Sequence, residues 1–125
     1  MNMDPRINVD VEPRYLEKES VPAEGRYVFA YTITISNLGT APATLRSRHW
    51  LITDANGDQQ EVRGAGVVGE EPRIEPHTEF RYTSAAVIRT AVGTMQGSYQ
   101  FEADDGGFFD VPIEVFTLQV PNVVH

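Results

Sequence analysis

The sequence predicts an all-β protein, an antiparallel β-sandwich of about seven to eight strands. Three observations predict it. Apolar residues recur at every second position over most of the chain, the period of a strand with one buried side. Turn-forming residues break that alternation roughly every 8–14 residues, the spacing of short antiparallel strands. No stretch carries the apolar period of an amphipathic helix.

Ile7, Val9 and Val11 form a short first strand, and Lys18 to Glu24 connects it onward. The clearest strand runs from Tyr27 to Ser36. Tyr27, Phe29, Tyr31, Ile33 and Ile35 share one face, and Val28, Ala30, Thr32, Thr34 and Ser36 share the other. Asn37 to Pro42 turns the chain. The next strand covers Ala43 to Thr53, with mixed parity. Leu45, Ser47, His49 and Leu51 lie on one face; Arg46, Arg48, Trp50 and Ile52 lie on the other. Both faces carry apolar groups, so a bulge is expected between Arg46 and His49. Asn56-Gly57 ends the strand with a hairpin signal, and a return strand covers Gln59 to Arg63. A glycine-bearing loop follows, and Ile74 to Tyr82 opens another strand. Phe80, Tyr82, Ser84, Ala86 and Ile88 point one way; Arg81, Thr83, Ala85, Val87 and Arg89 point the other. Met95, Gly97, Tyr99, Phe101 and Ala103 alternate with polar residues. Asp105-Gly-Gly107 turns into a last strand, Phe108 to Val120. Pro112 removes one ladder donor there, which marks a sheet edge or a bulge.

The run Ile74-x-Pro76-x-Thr78-x-Phe80-x-Tyr82 resembles the segment that turns into a strand in fibronectin type III and related immunoglobulin-like domains. The sandwich is expected to be of that kind. At 125 residues the chain reads as a single domain, 1–125. There is no cysteine, which excludes disulfides, thiol redox chemistry and Cys-ligated zinc. The start, MNMDPRINVDVEPRY, lacks a basic segment followed by an apolar block, so no signal peptide is expected. No apolar run approaches the ~20 residues of a membrane-spanning helix. The expected location is the cytoplasm. The net charge of −8 repels phosphate backbones, so neither a nucleic-acid nor a membrane partner is expected.

Gly64-Ala-Gly-Val-Val-Gly69 has the spacing G-x-G-x-x-G of a pyrophosphate cradle. A cradle needs a buried strand before it, a helix after it and an acidic ribose partner about 20 residues on. The preceding QQEVR is mostly polar. Glu70-Glu71-Pro72 and Pro76 exclude a helix interior and set carboxylates where a phosphate would sit. No Asp or Glu occurs from Phe80 through Phe101. The hexapeptide therefore reads as a connection between strands, and Gly64, Gly66 and Gly69 stay only as a candidate anion loop.

His49, His77 and His125 form no metal-ligand spacing. Asp54-x-Asn56-x-Asp58 resembles the start of a calcium loop. It has Gln59 where glycine is required and Ala65 where Glu is required, so the hairpin reading wins. No nucleophile, base or oxyanion group can be assigned, so no enzyme activity, cofactor or metal is expected. Arg46-Ser-Arg-His-Trp50 is the one basic strip. In a regular strand Arg46, Arg48 and Trp50 share a face, as an interface anchor with cation–π support would. The alternative is a bulge that turns Trp50 into the core, which its apolar area favours. Arg46, Arg48, His49 and Trp50 are the candidate protein-binding residues.

The chain also resembles the ApaG family. The segments that carry the resemblance are YTITISNLG (31–39), RHWLITDANG (48–57), EVRGAGVVGEEPRIEPHTEFRYTSA (61–85), GTMQGSYQF (93–101) and FTLQVPNVVH (116–125). TMQGSY and GxGVVGExP are specific to that family. The resemblance implies a fibronectin type III-like sandwich and a bacterial cytosolic protein, often encoded beside a diadenosine tetraphosphate hydrolase. Similar domains are fused to F-box proteins and to a polymerase-delta-interacting protein, which implies an interaction module. The family is associated with cobalt and magnesium ion handling. It brings no agreed catalytic site, so no catalytic residue carries over. Its own glycine motif matches Gly64, Gly66 and Gly69, which makes nucleotide binding a standing suggestion; Glu71 departs from the family pattern and opposes an anion there. The expected function is a non-enzymatic protein-binding module. The alternative is a nucleotide polyphosphate or divalent metal held at Gly64–Gly69. Long terminal strands also make a homodimer an expectation.

Overall fold

The alternation in the sequence becomes two antiparallel sheets packed face to face as a β-sandwich. The computed structural model describes residues 6–121. Its strands are β1 (Ile7–Tyr15), β2 (Tyr27–Asn37), β3 (Ala43–Asp54), β4 (Gln59–Ala65), β5 (Arg73–Ile74), β6 (Glu79–Ile88), β7 (Val92–Ala103) and β8 (Phe108–Gln119). One sheet has the order β1-β2-β6 and the other β4-β3-β7-β8, with β5 paired to the start of β3. Two 3₁₀ turns, Glu17–Glu19 and Pro22–Glu24, join β1 to β2. No helix among the described residues is long and apolar enough to cross a membrane.

Phe29, Tyr31, Ile33 and Ile35 of β2 are buried, as the period-2 reading requires. Val28 and Ala30, on the opposite face, are buried too. The 3₁₀ turn after β1 lies against that end of β2: Leu16 N donates to Val28 O (2.8 Å) and Val28 N to Ser20 Oγ (2.9 Å). β1 is longer than the sequence suggests and pairs with β2 from Ile7↔Asn37 to Tyr15↔Phe29.

The expected bulge in β3 sits at Arg46, where the register with β7 shifts between Leu45 and Ser47. One extra residue changes the parity downstream. Arg48, Trp50 and Ile52 therefore project to the inner side. Trp50 is 2% exposed and meets Tyr31, Tyr99 and Phe116 edge-on at 5.5–6.2 Å. This corrects its placement among the candidate protein-binding residues: Trp50 is a core residue. Burying such a ring contributes on the order of 2–3 kcal/mol.

The strand read as starting at Ile74 is two elements. Ile74 lies in β5, opposite Ala43, and β6 begins at Glu79. The break between them is fixed by Asn37, a fully buried polar residue. Its Nδ2 donates to Ala41 O (2.8 Å) and Ile74 O (3.0 Å), and its Oδ1 accepts from Gly39 N (3.0 Å). Its main chain holds His77 N (2.7 Å) and Thr78 O (3.0 Å). Pro112 lies on the edge strand β8. The register with β7 also shifts there, so that Glu114 and Val115 face the single residue Gln96.

Candidate functional site

The Arg46 bulge and the glycine hexapeptide meet at one end of β3. As the extra residue, Arg46 swings its side chain to the surface. Its Nε donates to Glu102 Oε1 (2.9 Å) and its Nη1 to Glu71 Oε1 (3.2 Å). These carboxylates, Glu102 foremost, hold its pKa above the usual arginine value. All three side chains stay substantially in water, so the cluster adds shape and charge more than stability.

Arg48 goes elsewhere. Its Nη1 donates to Ala65 O (3.0 Å) and Gly66 O (2.9 Å). Its guanidinium lies over Gly64, the residue opposite it in the β3–β4 register. A Cβ on Gly64 would come within 2.8–2.9 Å of that group. His49 points to the outer face and meets Glu61 Oε2 through Nε2 (3.1 Å). The hydrogen bond from His49, helped by Arg63, lowers the Glu61 pKa. The four candidate residues of the basic strip thus occupy four environments, and no single face carries them.

The hexapeptide continues β4 and then reverses. Gly66 N donates to Arg46 O (2.8 Å). Gly66 has φ +58°, and a Cβ there would lie 2.1 Å from Glu70 O. Val67 is fully buried and plugs the core. Val67 and Glu70 exchange both main-chain bonds, at 2.8 and 2.9 Å. Val68 (φ +44°) and Gly69 (φ +79°) between them form a two-residue turn with both φ positive, the primed type that suits a hairpin. A β-branched residue at positive φ is an outlier and costs about 1–2 kcal/mol. Val68 is nevertheless 54% exposed, so its side chain gains little from the core. Glu70, Glu71 and Pro72 lead into β5, and Leu45 N closes onto Pro72 O (2.9 Å). The amides of Gly66, Val67 and Glu70 are thus committed to carbonyls, and a strand follows the motif where a cradle needs a helix.

Beneath this corner the Tyr82 and Tyr99 hydroxyls share a hydrogen bond in the core. Burial pushes Tyr82 up to about 12, and pushes Tyr99 up further, helped by Tyr82. Both are therefore neutral phenols at neutral pH. Sequence reasoning did not find this pair, nor the Arg46 partners Glu71 and Glu102. Each is separated from its partner by 17 to 56 residues, so no local spacing reveals them. Among the described residues no group of three or more His, Asp or Glu could hold a metal. Asp54 Oδ1 accepts from Asn56 N (2.8 Å) and Asp58 N (3.0 Å), which makes this stretch a closed turn. His77 lies exposed in the turn before β6. His125 lies outside the described residues.

Residues 17–103 match the model of the ApaG domain. The chain belongs to the ApaG family. It is 57% identical over 120 residues to Protein ApaG of Azoarcus sp. (strain BH72), covering 96% of this chain and 94% of that one. It is 54% identical to Protein ApaG of Pseudomonas aeruginosa (strain LESB58), covering 96% and 95%. The crystal structure of a protein from Bordetella pertussis described as ApaA superposes with a TM-score of 0.93 at 45% identity, covering 95% of this chain and 97% of that one. The ApaG match runs from the first 3₁₀ turn to the last residue of β7. The bulge, the hairpin and the tyrosine pair fall inside it; the edge strands β1 and β8 fall outside.

Proposed function

We propose that this ApaG domain is a non-enzymatic protein-binding module of the cytoplasm. Its recognition surface is the hairpin tip at Val68 together with the Arg46–Glu71–Glu102 cluster beside it. The observation that carries this reading is how the motif glycines are used. Gly64 makes room for the Arg48 guanidinium, Gly66 for the Glu70 carbonyl, and Gly69 for the turn. The hexapeptide is then a built hairpin that holds an apolar side chain in water at a conformational cost. Strain kept at an exposed tip is a mark of contact sites. Arg is a frequent interface anchor, and Arg46 is held in place by two carboxylates. Arg48 supports the hairpin from below, and His49 with Glu61 borders it on the outer face. The strand orders β1-β2-β6 and β4-β3-β7-β8 favour the fibronectin type III-like variant of the sandwich. The family's association with ion handling and diadenosine polyphosphate metabolism is read as acting through the bound partner.

Cross-linking in bacterial cells tests this reading, with wild type compared against Arg46→Glu and Val68→Asn. Val68→Asn keeps the turn, because Asn-Gly suits this geometry. The partner set recovered with wild type is expected to be lost from both variants, with thermal melts showing that both remain folded. Unchanged recovery from both would overturn the reading.

A further inference from the structure

The two sheets leave a groove on the side away from the hairpin. Among the described residues β1 pairs only with β2, and β8 only with β7. Their other edges lie side by side. Ile7 to Val11 face Val111 to Phe116 across a groove of about 490 Å³. Pro13 to Tyr15 lie near Thr117 and Gln119, so the two strands run in the same direction.

Ladder parity shows which main-chain groups face the gap. Leu38 N donates to Arg6 O (2.7 Å) and Leu16 N to Val28 O (2.8 Å). The even-numbered residues of β1 therefore bond to β2, and the N–H and C=O groups of Ile7, Val9 and Val11 point away from it. On β8, Val120 N donates to Ala91 O (3.0 Å), and the bulge at Glu114–Val115 resets the parity. Asp110, Pro112 and Glu114 then face the gap. Pro13 and Pro112 both sit where a missing N–H costs the sheets nothing. The other lateral edge is bridged instead: Gln60 Nε2 donates to Val87 O (3.0 Å).

We propose that this groove takes an extended, cationic segment of a partner protein as an added strand. Ile7 to Val11 offer about 13 Å of free edge, enough for about five extended residues. A strand that runs opposite to β1 pairs with its free edge antiparallel, the more stable pairing, and lies along β8. Its alternate side chains reach an apolar floor of Val11, Val111, Ile113 and Phe116. Its main chain supplies affinity and its alternation supplies register, as in strand addition generally. The rim selects the charge: among the described residues Asp10 and Glu114 line the groove, and no Lys or Arg does. The net charge of −8 steers such a segment in. This site is separate from the Val68 surface and does not rest on it.

The test is a titration of isotope-labelled protein with a short alternating Lys/Val peptide, read by amide shifts and hydrogen exchange. Two controls are an alternating Glu/Val peptide and the Lys/Val peptide carrying a central proline. The expected result is saturable shifts and slowed exchange at Ile7, Val9, Val11 and Glu114, with the proline peptide, of equal charge, failing to bind. Glu114→Lys is expected to weaken binding about tenfold; its side chain is exposed, so the fold is kept. Absence of saturation, equal binding of the proline peptide, or shifts centred on another edge would overturn the proposal. So would protection of the same amides by dimerisation without peptide, which would assign the groove to a second copy.

Discussion

A methyl group on Gly66 would sit 2.1 Å from the Glu70 carbonyl oxygen, at a φ of +58°. Neither backbone can give way without opening the hairpin. Gly66→Ala is expected to cost about 2–4 kcal/mol in urea unfolding, the range of clashes that the backbone cannot absorb. The opposite sign is expected at Val68. Val68→Asn relieves a β-branched side chain at positive φ and should raise stability by about 1 kcal/mol, seen as a higher melting temperature. Gly64 and Arg48 form a pair that a double-mutant cycle can isolate. Gly64→Ala should destabilise the wild type and be nearly silent in Arg48→Ala, a coupling of about 1 kcal/mol. Tyr82 carries the pH prediction. Burial pushes it up to about 12, above the ordinary tyrosine value, so the folded state holds the proton more tightly. That stability is complete below pH 10 and is lost as pH rises towards 12. Alkaline unfolding with phenolate absorbance appearing in step is expected, and Tyr82→Phe combined with Tyr99→Phe should shift the transition.

At the scale of elements, Asn37 ties the end of β2 to the loop before β3 and to β5. Its side chain makes three hydrogen bonds of 2.8–3.0 Å while fully buried. Asn37→Ala would leave those backbone groups without partners and should cost about 2–4 kcal/mol in urea unfolding. The sequence was most readable where one strand answers to one rule. β7, and β2 from Tyr31 onward, alternate cleanly because one face meets the core. β3 could be read only as far as needing a bulge. That the extra residue is Arg46, and hence that Trp50 faces inward, depends on pairing with β7. The split between β5 and β6 was not readable, because it depends on Asn37 bonding to residues almost 40 positions away. The candidate site was half readable. The prolines and glutamates after Gly69 correctly excluded a helix, whereas the Arg46 partners and the positive φ of Val68 have no local signature.

At the scale of the molecule, the sandwich separates two surfaces. One end of β3 holds the hairpin tip and its ion-paired arginine. The side formed by β1 and β8 holds two free edges with an acidic rim. The first depends on how the hexapeptide is built: its glycines serve the packing of its own chain, and its inner amides are already bonded. The most direct test is to follow the amide resonances of Gly64 to Glu70 during titration with diadenosine polyphosphate and Mg²⁺. Glu70 and Glu71 stand where an anion would arrive, and the amides of Gly66, Val67 and Glu70 are committed to carbonyls. No saturable shift is expected in these resonances. A saturable shift at Gly66, Val67 and Gly69 would contradict that expectation.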